Sequence, residues 1–358
     1  MAKNKINEKL YSKYFEYFKS ILKKHPNYAD IRNMAGMFYY LDGKYKSALK
    51  QFDLALQINP KYEEAFINKC FSLFDKGEKE ISLNLMRTAS RGFGKKSYLI
   101  NLCLSILLAK NKDYSEALKY AIKSERINNN DSFSFVIQGI CHYEKNNPQK
   151  AKQMFSIANK KVIKFNLDEI GIDGMVFPKT LTSIDELRSY YLKNPFICDF
   201  YIRIAEELDK TGNKKDLKYI MKMAISKCVP TSRMLYFLGL KALKNKKEDI
   251  AVKLLKKSFE INRNNAYPMI LLFFMYGAKN NFRKAQNALN IALSHNPGYA
   301  DLNNYKGLFL LDMDKPEESI KFFRKALRVN PYYVDALYNI SQAYEQCGKY
   351  RDALKYYL

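Results

Sequence analysis

The residues best suited to metal or nucleophilic chemistry are few: His25, His142 and His295, and Cys70, Cys103, Cys141, Cys198, Cys228 and Cys347. No C-x-x-C pair occurs, and no Cys–His cluster has the spacing of a metal site. His25 and His295 each precede a proline that ends a helical pattern, a place where a cation is favoured. No Ser/His/Asp or Cys/His arrangement is legible. The acid pairs Glu206-Glu207 and Glu317-Glu318 fall in helical patterns and read as solvated faces. The run Gly92-Phe93-Gly94-Lys95-Lys96-Ser97 has the composition of a phosphate loop. That loop needs Gly at 89 and Ser or Thr at 96, where Ala89 and Lys96 stand. The expectation is therefore a non-enzyme with no catalytic residue, no metal and no cofactor.

The cysteines serve instead as small hydrophobes, which favours a reducing compartment. No stretch approaches the roughly 18 uncharged apolar residues that span a bilayer, and the N-terminus has no signal-peptide core. A cytoplasmic location is the default expectation. The formal charge of +25 admits an acidic partner. Lys, Asn, Ile, Tyr and Phe are all abundant, however, as codon bias produces, and Lys outnumbers Arg, the better reader of phosphate. A nucleic-acid or anionic-surface partner for the Lys-rich second helices is thus weakly supported.

The elements that must position any site show themselves as a repeat. From Ala29, the small residues Gly36, Ala48 and Ala55 are followed by Pro60. From Ala300 the same offsets give Gly307, Ser319, Ala326 and Pro331. Units of about 34 residues start near 29, 63, 98 and 132, and again near 198, 232, 266, 300 and 334. The eighth position holds Gly36, Gly139, Gly239 and Gly307; the twentieth Ala48, Ala151 and Ala251; the twenty-seventh Ala55, Ala158 and Ala326. Small residues there let two antiparallel helices approach closely, with Phe52, Phe155 and Phe323 filling the space between. The turn near position fifteen is Gly43, Gly77, Gly212 or Gly348, and Lys or Asn in other units.

These residues resemble the tetratricopeptide repeat (TPR) family over nearly the whole chain except about 166–197. The family's frequent Trp at position four is absent. The resemblance implies an all-α fold: an α-solenoid of about nine TPR-like helix-turn-helix units in a right-handed superhelix. The expected organisation is a capping helix in 1–28, a sub-array of four repeats in 29–165, an irregular insert or degenerate repeat in 166–197, and a second sub-array in 198–358. The latter has four repeats plus an incomplete last one. Ser183-x-x-Glu186 is a capping box that opens a helix through about Asn194.

The resemblance also implies a concave groove lined by positions two, five, nine and twelve of the first helices. Position five supplies Asn33, Ile67, Leu102, Val136, Tyr236 and Ile270. Position nine supplies Met37, Phe71, Ile106, Ile140, Leu240, Phe274 and Leu308, and position twelve Tyr40, Phe74 and Tyr143. Such a groove suits a partner helix or peptide, unless the insert, the superhelix or a second copy fills it. Acids at position two, among them Asp30, Glu64, Asp199, Asp301 and Asp335, suit the first helical turn and could also attract a basic partner. The Lys/Asn pattern of chaperone-tail clamps is absent. The expected function is a protein-binding scaffold or adaptor. The alternatives are RNA or anionic-surface binding and the regulatory arm of a longer protein, and the last unit leaves an uncapped helix through which copies could associate.

Overall fold

The computed structural model describes residues 15–16, 19–24, 26–162, 165–170, 176–177, 183–227 and 231–357. Most of the expected capping helix (Ile6, Leu10, Tyr14 and Phe18) and also His25 and Cys228 lie outside these. Residues 19–24 are helical, and the Phe15 ring packs on Phe38 with centroids 5.4 Å apart.

Helix pairs follow one another at the repeat period. They are α1 (Ala29–Leu41) with α2 (Tyr45–Ile58), α3 (Glu63–Lys76) with α4 (Lys79–Arg91), α5 (Tyr98–Lys110) with α6 (Tyr114–Ile127), and α7 (Phe133–Glu144) with α8 (Pro148–Lys161). After an irregular stretch come α9 (Ile184–Tyr191), α10 (Phe196–Lys210), α11 (Lys214–Lys227) and α12 (Ser232–Lys244). The series continues with α13 (Glu248–Ile261), α14 (Tyr267–Gly277), α15 (Phe282–His295), α16 (Ala300–Asp312), α17 (Pro316–Val329), α18 (Val334–Gln346) and α19 (Tyr350–Tyr357).

The small-residue ruler works as close packing. A Cβ added to Gly36 would lie 2.4 Å from the Phe52 ring, and one added to Gly139 or Gly307 would lie 2.4 Å from Phe155 or Phe323. Ala48, Ala55, Ala151, Ala158, Ala251 and Ala326 are buried, as is Gly239. Ser82, at the twentieth position, donates its hydroxyl to the Cys70 carbonyl at 2.7 Å, tying the two helices of one repeat together. Cys70, Cys103, Cys141 and Cys198 are buried thiols, and burial pushes those of Cys70 and Cys141 up to about 12.

Each turn within a pair places one residue at positive φ. Four are Gly43, Gly77, Gly212 and Gly348; five are Lys112, Asn146, Lys246, Asn280 and Asp314. Glycine adopts this conformation freely, Asn and Asp tolerate it, and lysine is strained there.

The chain divides into two compact units, residues 1–247 and 248–358. The sequence marks 166–197 as an irregular insert or degenerate repeat between two sub-arrays. That stretch lies within the first unit. Phe165–Asn166 and Val176–Phe177 pair antiparallel in a two-stranded hairpin, an addition to the all-α expectation, and a 3-10 turn over Leu167–Ile170 buries Leu167 and Ile170. Asn245, just after α12, donates to the Ile170 carbonyl at 2.5 Å. The capping box opens α9, with the Ser183 hydroxyl accepting from the Glu186 amide at 3.2 Å. The helix stops at Tyr191 rather than Asn194: Pro195 has no N–H to offer the Tyr191 carbonyl four residues back, and it disfavours a helical Asn194. The Asn194 side chain instead accepts from the Phe196 amide at the start of α10.

Within residues 248–358, α13 to α19 stack in chain order, and Ile320, Phe323, Ile340, Ala343, Tyr344 and Ala353 form a core cluster.

Candidate protein-interaction faces

The first helices of the repeats carry the positions expected to line a groove. In residues 1–247 most of those positions form interior. Asn33, Met37, Tyr40, Ile67, Phe71, Phe74, Leu102, Ile106, Val136 and Ile140 are all buried. An open groove over these repeats is thus corrected: the chain covers that face itself.

The cover is the segment from α9 to α10. Tyr191 of α9 meets Phe133 of α7 edge-on at 5.1 Å, and Arg188 pairs with Glu144. Phe200 of α10 packs edge-on against Phe38 of α1 at 4.7 Å. Polar groups fix the register. Asn194 donates to Asn68 at 2.7 Å, and Asn68 donates to Asn33 at 2.9 Å. Asn33 donates in turn to Glu64 at 2.7 Å and to the Tyr62 hydroxyl at 3.3 Å. Arg203 closes the chain on Glu64 at 3.2 Å and hydrogen-bonds Tyr62. Buried amides and ions left unpaired would cost several kcal/mol, so this ladder specifies where α10 docks.

The electrostatics follow from burial. Asp199 is raised to about 6, by its burial and then by the Glu64 charge, while the Thr231 hydroxyl donates to it at 2.5 Å. Burial alone would lower the Arg203 guanidinium, but Glu64 and Tyr62 raise it overall. Burial and Glu64 push the Tyr62 hydroxyl up to about 12.

Elsewhere in this unit, Tyr143 and Leu240 are exposed and Tyr236 is half-buried. Tyr40 donates to Asp75 at 2.6 Å, and Lys110 pairs with the same carboxylate at 2.6 Å.

Residues 248–358 present the contrary case. Phe274 is exposed, and Ile270 and Leu308 are half-buried. Around Tyr305 the rings of Phe273 and Phe274 gather at 6.4 and 5.2 Å, and Phe309 lies 6.0 Å from Phe273. Tyr267 and Tyr338 stand exposed on the same first helices. The one cation of these helices, Lys306, turns inward, is buried, and donates to Asn290 at 3.0 Å.

The residues missed from sequence are those that fill the first face: Asn68, Asn194, Phe200 and Arg203, with Glu64 read chiefly as a helix-dipole acid. Their partners lie as many as 139 positions away, beyond any local pattern. The exposed tyrosines of the second face stand at position two (Tyr267) and position five (Tyr338) of their repeats.

Among the described residues, no His/Cys/Asp/Glu group could hold a metal ion, and no helix is long and apolar enough to cross a membrane.

Tetratricopeptide-repeat family models match residues 16–63, 276–334 and 322–355. A TPR repeat-containing protein of Methanocaldococcus jannaschii is 24% identical over a 402-residue alignment that covers 99% of this chain and 67% of the relative. A crystal structure of MamA is similar over 45% of this chain and 88% of its own, at 22% identity and a TM-score of 0.36. The Cut9–Hcn1 hetero-tetramer of the APC/C is similar over 92% of this chain and 58% of its own, at 15% identity and a TM-score of 0.36. Family models at both ends of the array agree with the packed 34-residue ruler between them, and the chain belongs to the tetratricopeptide-repeat family.

Proposed function

We propose that the chain is a non-enzymatic scaffold or adaptor. It holds a segment of a partner protein on the open first-helix face of residues 248–358. One observation carries this reading. Tyr267, Phe274 and Tyr338 are exposed on that face, whereas positions five and nine of the first four repeats are buried by the chain itself. Exposed aromatic groups gathered on one face commonly mark a contact surface. The repeats imply protein partners in general; the choice of this face is the proposal.

Photo-crosslinking residues at Phe274 and Tyr338, compared with Lys321 and Lys325 on α17, test it. Capture of a protein from Phe274 and Tyr338 supports the face. Capture from the α17 positions alone overturns it.

A further inference from the structure

The covered face shows what an occupant of this array looks like, and the open face repeats the receiving groups. In the first unit Asn33, Tyr62, Glu64 and Asn68 receive α10. Asn304, Tyr333, Asp335 and Asn339 stand at the same repeat positions in the second.

The hydrogen bonds repeat as well. Asn339 donates to Asn304 at 3.0 Å, as Asn68 donates to Asn33 at 2.9 Å. Asn304 hydrogen-bonds the Tyr333 hydroxyl, as Asn33 does that of Tyr62. One difference is that the Tyr333 hydroxyl also hydrogen-bonds the Asp301 carboxylate; the other is the occupant. Glu64 is paired with Arg203 and Asn68 with Asn194. Asp335 is exposed and makes no ion pair among the described residues. Asn339, among those residues, bonds only Asn304.

We infer that residues 248–358 bind an amphipathic helix of a partner protein. This helix presents an arginine to Asp335 and Tyr333, and an aromatic side chain to the rings around Tyr305. The inference rests on the scaffold reading and names the chemistry of its partner. Charge complementarity agrees with it. The exposed charges on α14, α16 and α18 are Asp301, Asp312, Asp335 and Glu345, all negative, while the only lysine is buried. Asp301 and Asp335 both lie close enough to Tyr305 to act on its hydroxyl. A planar guanidinium can bridge a carboxylate and a phenol while stacking on a ring. In α10, Phe200 and Arg203 lie three residues apart on one helix face, which is the spacing the partner needs.

The probe is a fluorescent synthetic peptide of residues 194–210 carrying Cys198→Ser, titrated with the full chain. Saturable binding is expected. It weakens about tenfold or more, the loss expected from removing one charged partner, with Arg203→Gln in the peptide or Asp335→Asn in the chain. The Asp335→Asn chain should keep its thermal melt, since Asp335 is exposed. Absence of saturable binding, or binding left unchanged by both the altered peptide and the altered chain, overturns the arginine. If Phe274→Ala and Tyr338→Ala weaken peptide binding while Asp335→Asn does not, the scaffold face stands and the arginine falls. Self-association of the full chain that is lost in Asp335→Asn would assign the face to a second copy and overturn the partner protein.

Discussion

In residues 1–247 the ninth positions Met37 and Phe71 are 1% and 0% exposed; in residues 248–358 the ninth position Phe274 is 49% exposed. Both units are built on the same ruler, with Gly36 against Phe52 in one and Gly307 against Phe323 in the other. Helix pairing therefore does not decide whether the inner face is free. A repeat buries what lies between its own helices and its neighbours, and the inner positions of the first helices fall outside those contacts. They are covered only where another segment comes to them. In the first unit the segment after α8 does, and it carries its own polar partners for Asn68 and Glu64.

The contrast can be broken at several points. Truncating the shared wedge should hurt both units alike. Phe52→Ala and Phe323→Ala are each expected to cost about 3–5 kcal/mol, the usual penalty for a buried phenylalanine, as read from urea unfolding. A loss below about 1 kcal/mol in either would show that its ruler is not the packing unit.

The next test separates the faces. Arg203→Ala leaves the half-buried Glu64 without its cation, and about 1.5–3 kcal/mol should be lost, the range for a hydrogen bond to a charged group. Hydrogen exchange at Asn33, Phe38 and Asn68 should accelerate as α10 loosens. Asp335→Asn, at the corresponding position of the open face, should change stability by no more than about 0.5 kcal/mol. Equal effects would erase the distinction between a filled and an open face.

Acidity gives a third handle on the filled face. The Asp199 carboxyl is raised to about 6 from its ordinary 3.8. The folded state therefore holds its proton more tightly than the unfolded one. The favourable contribution is fully present below about pH 4 and is lost as pH rises through about 6. At neutral pH the ionised carboxylate then costs the folded state about 3 kcal/mol. Asp199→Asn should consequently stabilise the chain at pH 7 and have little effect at pH 4. A stability gain independent of pH would contradict the assignment.

The smallest expected effect lies in the turns. The positive-φ lysines Lys112 and Lys246 both fall in the first unit, while the second uses Asn280, Asp314 and Gly348. Lys246→Gly should stabilise by about 1 kcal/mol, the cost of a left-handed conformation for an ordinary side chain. Asn280→Gly should gain less, because Asn tolerates that region. Matched thermal melts decide it, and a loss with Lys246→Gly would show that the lysine side chain contributes more than its backbone costs.

The ruler was fully legible in the sequence, because each of its marks acts on a neighbour within one repeat. Gly36 meets Phe52 sixteen residues on, and Ser82 meets the Cys70 carbonyl twelve residues back. Such contacts need only the helix period and a short turn, and the capping box at Ser183 is as local. The groove residues lie on the first helices, but whether they face an opening was not legible. Asn194 reaches Asn68 across 126 positions and Arg203 reaches Glu64 across 139. Nothing in the spacing of Asn33, Met37 and Ile67 says that a helix beyond an irregular stretch will return to cover them.

The amino-acid sequence by itself thus determined the helical pairs, their phase and their turns, through steric fit between residues a few turns apart. Only the tertiary structure decided which inner face is occupied. That outcome depends on closing a long loop against its entropy, which a local pattern cannot encode and which the ladder of Asn194, Asn68, Asn33, Glu64 and Arg203 stabilises once formed.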